Sequence, residues 1–272
     1  MPSNKSIPAR KSAKPTTARS APKKATAKKP LKTTAKNSGK VEKPVPAKSR
    51  PKTSPKSDLA PERIAAILKI LADTYPNVQC ALHHRNAWEL LVATILSAQC
   101  TDVRVNMVTP SLFRKFPTPA DFAAAPLPEI ETEIRSTGFY HNKAKSISGA
   151  AKKLIAEFNG KVPRKMDELL TLPGVARKTA NVVLGVAYKE AVGVVVDTHV
   201  LRLSMRLGLT HNTAPEKVEQ DLMKVIPQDR WIAFSHEMIH HGRQICIARK
   251  PRCADCPLEP LCNAPDKTWS TH

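Results

Sequence analysis

Four cysteines, Cys246, Cys253, Cys256 and Cys262, stand with six, two and five residues between them. Four thiolates so spaced suit either a Zn²⁺ ion or a [4Fe-4S] cluster, and the spacing alone leaves both open. The N-terminus lacks the apolar core of a secretion signal, so this crowding argues for metal ligation over disulfides. Arg249, Lys250 and Arg252 lie between the first two thiols. A loop pinned at both ends would present these three cations to phosphates, although a solvated basic loop has the same composition. Cys80 and Cys100 lie far from the tetrad beside apolar runs, and buried free thiols are expected there.

A second group of reactive types is Leu172-Pro173-Gly174-Val175-Ala176-Arg177-Lys178-Thr179-Ala180-Asn181. Apolar residues at helical spacing precede it, Pro and Gly break the chain, and a second helical run opens at Arg177. Two short helices joined by a tight hairpin direct unpaired N–H groups from the second helix start, which favours an anion such as phosphate. Lys178 falls in that first turn. A helix start with solvated basic residues is the competing reading, and this stretch does not separate the two. His236-Glu237-Met238-Ile239-His240 matches a zinc-protease pattern. No further ligand follows at protease-like spacing, and the segment runs into Cys246. A helix packing Trp231, Phe234, Met238 and Ile239, with histidines at its edge, is expected instead.

The elements that must hold these residues read as helices. Pro61 suits a first turn, with Ile64, Ile67, Leu68, Leu71 and Tyr75 following at helical spacing. Trp88 to Leu96 is too continuously apolar for a surface helix and predicts a buried one. Its polar exit, Ser97 to Asp102, can cap another helix. Further helices are expected at 119–125, 128–136, 143–158, 214–225 and 229–246, with stops at Gly138 and Gly160. Val192 to Val196 alone looks strand-like, and one strand makes no sheet. We read it as an extended buried connector into Asp197-Thr198-His199, which starts a helix and makes Asp197 a candidate N-cap. The fold class is all-α.

Composition adds a separate segment. The chain carries 44 Lys+Arg against 23 Asp+Glu, a formal charge of +21. Residues 1–57 hold 17 Lys/Arg and one acid, Glu42, leaving about +5 on the other 215. Without aromatics and with few large apolar residues, this segment cannot offset its ordering entropy, which predicts a disordered basic tail holding DNA phosphates without reading sequence. A transit peptide ranks second, since the tail favours Lys and Pro over Arg and shows no amphipathic face. No stretch reaches the length of a membrane span.

The hairpin, the Val196-Asp197-Thr198-His199 run and the C-terminal cysteines together resemble the endonuclease III family over roughly residues 59–264. These are helix-hairpin-helix DNA glycosylases with AP lyase activity. The resemblance implies a [4Fe-4S] cluster on Cys246, Cys253, Cys256 and Cys262, with Lys178 and Asp197 as the catalytic pair. Gln99, in Ser97-Ala98-Gln99, and Phe139, in Gly138-Phe139-Tyr140-His141-Asn142-Lys143, match segments that enter the duplex at the damaged site. Gly174, Ala176, Arg177, Arg249, Lys250 and Arg252 would hold the DNA backbone. Two helical lobes are implied: a six-helix barrel over 80–190 carrying the hairpin at about 166–187, and a cluster lobe from 58–79 and 191–272. DNA would lie in the cleft between them.

The implied reaction is base excision of oxidised pyrimidines from duplex DNA, with abasic sites also as substrates. Lys178 would form a Schiff base with the sugar, and β-elimination would cut the strand. The adjacent Arg177 charge would favour the neutral amine that attack requires. A monomer is expected, with no membrane association. Its place would be intracellular: cytoplasm or nucleoid in a bacterium, nucleus or organelle otherwise. Two departures stand out. Gly174-Val175-Ala176 replaces the common Gly-Val-Gly; if that third position needed a left-handed backbone, Ala would cost about 1–2 kcal/mol. Phe139 stands where Leu is common, which would alter preference for the opposing base. The rival reading from another class is a non-catalytic DNA-binding module with a structural metal site made by the four cysteines. Monofunctional adenine glycosylases, also related, lack the hairpin lysine.

Overall fold

The structure, a computed structural model, describes residues 59–269; the polycationic tail expected over 1–57 lies outside the described residues. Eleven α-helices and four short 3-10 turns form the described part, with no strand among them. Helix α1 (Pro61–Thr74) starts on proline and buries Ile64, Ile67, Leu68 and Leu71. Asn86 caps α2 (Ala87–Leu96) by accepting from the Glu89 N–H, and every residue from Trp88 to Leu96 is buried. A helix with no polar face must be enclosed on all sides, and α2 is the axis of the first core.

Thr101 caps α3 (Asp102–Lys115), whose buried stripe runs through Val105, Val108, Leu112 and Phe113. Thr118 and Asp121 form a capping box on α4 (Pro119–Ala124). Next come α5 (Leu127–Ile134) and α6 (Tyr140–Phe158), joined by a 3-10 turn over Arg135–Thr137. Gly138 and Gly160 both take positive φ at the expected stops. The hairpin helices are α7 (Met166–Leu170) and α8 (Arg177–Ala187). The Val192–Val196 run is an irregular connector with Val194 and Val196 buried. It leads into α9 (Thr198–Arg206), followed by α10 (Pro215–Val225) and α11 (Trp231–Gln244).

Buried apolar side chains fall into two sets. One draws on residues between Leu82 and Leu184. The other joins Ile64, Ile67, Leu68 and Leu71 of α1 to residues from Val194 to Leu258. Helix α1 packs on α11, which also packs on α9, so the first described helix is brought to the C-terminal half. Cys80 and Cys100 correct the expectation of burial: both are free but only half-buried, packed at the margin of the first core. No helix among the described residues is long and apolar enough to cross a membrane.

Phe122 is fully enclosed, edge-on to Trp88 with ring centroids 5.3 Å apart and also 5.3 Å from Phe116. Phe122→Ala should therefore cost about 3–5 kcal/mol in urea unfolding. A loss under about 1 kcal/mol would mean that this aromatic cluster is not a close-packed part of the core.

Candidate active site and metal centre

The hairpin is shaped by one glycine. Gly174 has φ +77°, and a Cβ placed there would lie 2.6 Å from Ser146 Cβ on α6. Both the left-handed backbone and the approach to α6 exclude a side chain. Ala176 is different: at φ −95° and ψ 169° it is ordinary extended backbone. The cost expected for Ala at this position therefore does not arise, since the left-handed residue is the first of the three. Ala176 precedes α8 and offers no capping side chain, so the first-turn N–H groups of α8 stay open for an anion.

Lys178 is the second residue of α8, and Asp197 is the N-cap of α9. Asp197 accepts from the His199 and Val200 N–H groups, both at 2.8 Å and both on Oδ1. Its Oδ2 takes no part in these capping bonds. Lys178 and Asp197 line the same cavity, partly open to solvent, with Ser97, Asn181, Ser235 and His240 also on its wall. The cavity lies at the seam of the two cores, between an open helix start and a capped one.

Two ion pairs bridge that seam. Glu219 of α10 is 4% exposed. It accepts from Arg177 Nε at 2.7 Å and from Asn181 Nδ2 at 2.8 Å, so it holds α8 on both sides of Lys178. Gly193 makes room, since a Cβ there would stand 2.2 Å from Glu219 Oε1. The Glu219 hydrogen bond holds the Arg177 guanidinium above the ordinary arginine range. Arg177 is thus committed to a protein carboxylate rather than standing as a free cation beside Lys178. Asp102 of α3 pairs with Arg243 of α11 at 2.8 Å, and both line the cavity.

The two loops singled out in the sequence are both exposed and both left-handed. Gln99 has φ +52° and Phe139 φ +49°. Phe139 is 63% exposed, the opposite of a core aromatic. A non-glycine residue in this region costs about 1–2 kcal/mol, which marks both tips as constrained.

In the C-terminal part, Cys246, Cys253, Cys256 and Cys262 line one cavity. Among the described residues no three His, Cys, Asp or Glu side chains converge closely enough for a single ion. Four thiols around one space are a donor set that fits a [4Fe-4S] cluster, and zinc takes the same set. Arg206 Nη1 donates to Cys246 Sγ at 3.2 Å and the Thr268 N–H to Cys253 Sγ at 3.4 Å, as donors to thiolates would. Burial and the neighbouring thiols push the Cys256 thiol up to about 11, a repulsion that a bound cationic centre would relieve. Arg249 and Lys250 are exposed on the loop between the first two cysteines. Arg252 is exposed but paired with Asp255 at 2.9 Å.

Residues 92–228 match the family described as HhH-GPD superfamily base excision DNA repair protein. Endonuclease III of Synechocystis sp. is 57% identical over 201 residues, covering 74% of this chain and 92% of the relative. The chain belongs to the endonuclease III family. Endonuclease III of Escherichia coli K12 is 40% identical over 201 residues, covering 74% of this chain and 95% of that one. A solved structure described as a non-covalent endonuclease III–DNA complex superposes with a TM-score of 0.72 at 48% identity, over 75% of this chain and 95% of the other. The protein is a base excision repair DNA glycosylase with AP lyase activity.

Within this endonuclease III fold, the protease-like motif is dismantled. Glu237 is buried and held by Arg230 Nη2 at 2.8 Å, so it is no base for a metal-bound water. Trp231, Phe234 and Met238 are buried as expected; His236 and His240 line the cavity at the seam. His241, one residue past the motif, places Nδ1 3.1 Å from Tyr75 Oη and Nε2 3.4 Å from Cys256 Sγ. Sequence reasoning missed Glu219, Asp102, Arg243 and Asn181 as site-building residues. Only polar residues on otherwise apolar helix faces could have hinted at them.

Gly174→Ala should lower stability by about 1–2 kcal/mol or more and weaken affinity for duplex DNA. Ala176→Gly should stay within about 0.5 kcal/mol of the parent. Equal effects in chemical denaturation and DNA titration would show that the first hairpin position carries no special constraint.

Proposed function

We propose that this enzyme removes oxidised pyrimidines from duplex DNA through a covalent Schiff base on Lys178 and then cuts the strand by β-elimination. The supporting observation is the shared cavity of Lys178 and Asp197 at the seam of the two cores. These cores are the two lobes of our reading, residues 80–190 and residues 58–79 with 191–272, and the duplex lies across them.

A base within the stack is out of reach, so the damaged nucleotide is flipped out, at a cost of a few kcal/mol that is smaller for a poorly stacked lesion. Gln99 and Phe139 fill the gap it leaves. Their exposure and left-handed backbones support this role. The open N–H groups of α8, with Gly174 and Ala176 shaping the turn, hold a phosphate, and Arg249, Lys250 and Arg252 add positive charge along the backbone. Arg177 contributes through Glu219 rather than as a free cation.

Lys178 Nζ then bonds to C1′ as the C1′–N glycosidic bond breaks, and the electron pair leaves with the base. Asp197 Oδ2, the oxygen free of capping bonds, stabilises positive charge developing at C1′ and then takes a proton from the newly bonded Lys178 nitrogen, while the departing base takes one from water. Ring opening gives the protonated Schiff base. Loss of a C2′ proton then expels the 3′ phosphate. Cys246, Cys253, Cys256 and Cys262 would hold a [4Fe-4S] cluster, which with four protein ligands would pin the basic loop and leave no open position for substrate. The working form is a monomer on duplex DNA carrying an oxidised pyrimidine or abasic site.

Borohydride with abasic-site DNA should trap a covalent complex that disappears in Lys178→Ala; persistence of the trap would remove Lys178 from the mechanism. Asp197→Asn keeps a capping oxygen, so its thermal midpoint should change little while turnover falls by about 100-fold or more. Purified protein should show the broad visible absorbance of iron–sulfur, with iron and sulfide in equal amounts. Cys256→Ala should lose that absorbance and bind DNA more weakly. A colourless protein with stoichiometric zinc would overturn the cluster assignment.

A further inference from the structure

Lys143 of α6 is 5% exposed, yet no carboxylate pairs with it among the ion pairs of the described residues. Its Nζ donates to two carbonyls, Leu96 O at 2.8 Å and Thr137 O at 2.9 Å. These carbonyls end two different segments. Leu96 is the last residue of α2, where a carbonyl has no donor within the helix and carries the negative end of the dipole. Three residues on is Gln99. Thr137 ends the 3-10 turn after α5, and two residues on is Phe139. The bases of both exposed, left-handed loops are thus tied to one ammonium.

An uncharged side chain of similar length would fill this space without the cost of removing an ammonium from water. Burial does push Lys143 below the ordinary lysine range, with the Cys100 thiol acting the other way. A cation kept here despite that cost is explained by what it bonds. We propose that Lys143 is a positioning residue, a strut that fixes the Gln99 and Phe139 loops relative to each other so that they enter the duplex as one wedge. The proposal rests on the reading of these loops as inserting segments.

The test uses the full-length protein with duplex DNA carrying a non-cleavable abasic analogue opposite 2-aminopurine, which brightens when unstacked. Wild-type binding should brighten it, and Phe139→Ala and Gln99→Ala should reduce the change. Lys143→Met should reduce it as well. It should also lower the ratio of duplex to single-strand abasic cleavage by roughly 10–100-fold, because single strands need no wedge. Lys143→Arg, which keeps two donors, should recover part of both. Amide exchange in Lys143→Met should quicken at residues 97–101 and 138–142 together, with the middle of α2 still slow. A wild-type fluorescence change and cleavage ratio in Lys143→Met would overturn the strut. So would exchange that quickens throughout the first core, which would make Lys143 merely structural. If Phe139→Ala and Gln99→Ala keep the full fluorescence change, the wedge reading itself falls and the strut falls with it.

Discussion

Glu219 is the constraint on which the seam between the two cores depends. A carboxylate this deeply buried is tolerable only when its charge is met by well-aligned donors, and both of its donors come from α8. Removing either donor would leave a buried carboxylate short of a partner, which disfavours other ways of joining the two cores at that seam. Arg177 and Asn181 flank Lys178 in sequence. The contact that joins α10 to α8 therefore also fixes the helix turn that carries Lys178. Asp102 and Arg243 close the seam on another side of the same cavity.

Across this seam two helix starts are used in opposite ways. That of α9 is closed by its own N-cap, Asp197, through Oδ1 alone. That of α8 is left open by Ala176. One provides a carboxylate held rigidly by backbone N–H groups; the other provides N–H groups that lack a partner. Phosphate attraction and carboxylate placement thus follow from the same physics of unpaired groups at helix termini. The cysteine cavity belongs to the second core, remote in sequence from the hairpin.

Much of the fold was legible because helical periodicity, caps and breakers are local. Pro61, Thr101, Gly138 and Gly160 each act where expected, and Trp88 to Leu96 is enclosed as its composition requires. The left-handed residue of the hairpin was not legible. The departure from Gly-Val-Gly left open whether Ala176 must be left-handed, whereas the backbone reverses at Gly174, against Ser146 of α6. Cys80 and Cys100, expected to be buried, are half-buried for a related reason, which also governs the exposed Phe139. Burial is decided by what packs over a residue, and neighbours along the chain do not reveal that.

The sequence by itself determined the helical class, the order and limits of most helices, the thiol tetrad, and the lysine and aspartate that the family resemblance singles out. Those features depend on residue type and short spacing. Only the tertiary structure decided that Lys178 and Asp197 share one cavity, that Arg177 is bound to Glu219, and that Glu237 is a buried ion-pair partner. It alone tied the bases of two distant loops to Lys143. These are pairings between residues far apart in the chain, and hydrogen-bond geometry and burial select them only after the helices have packed.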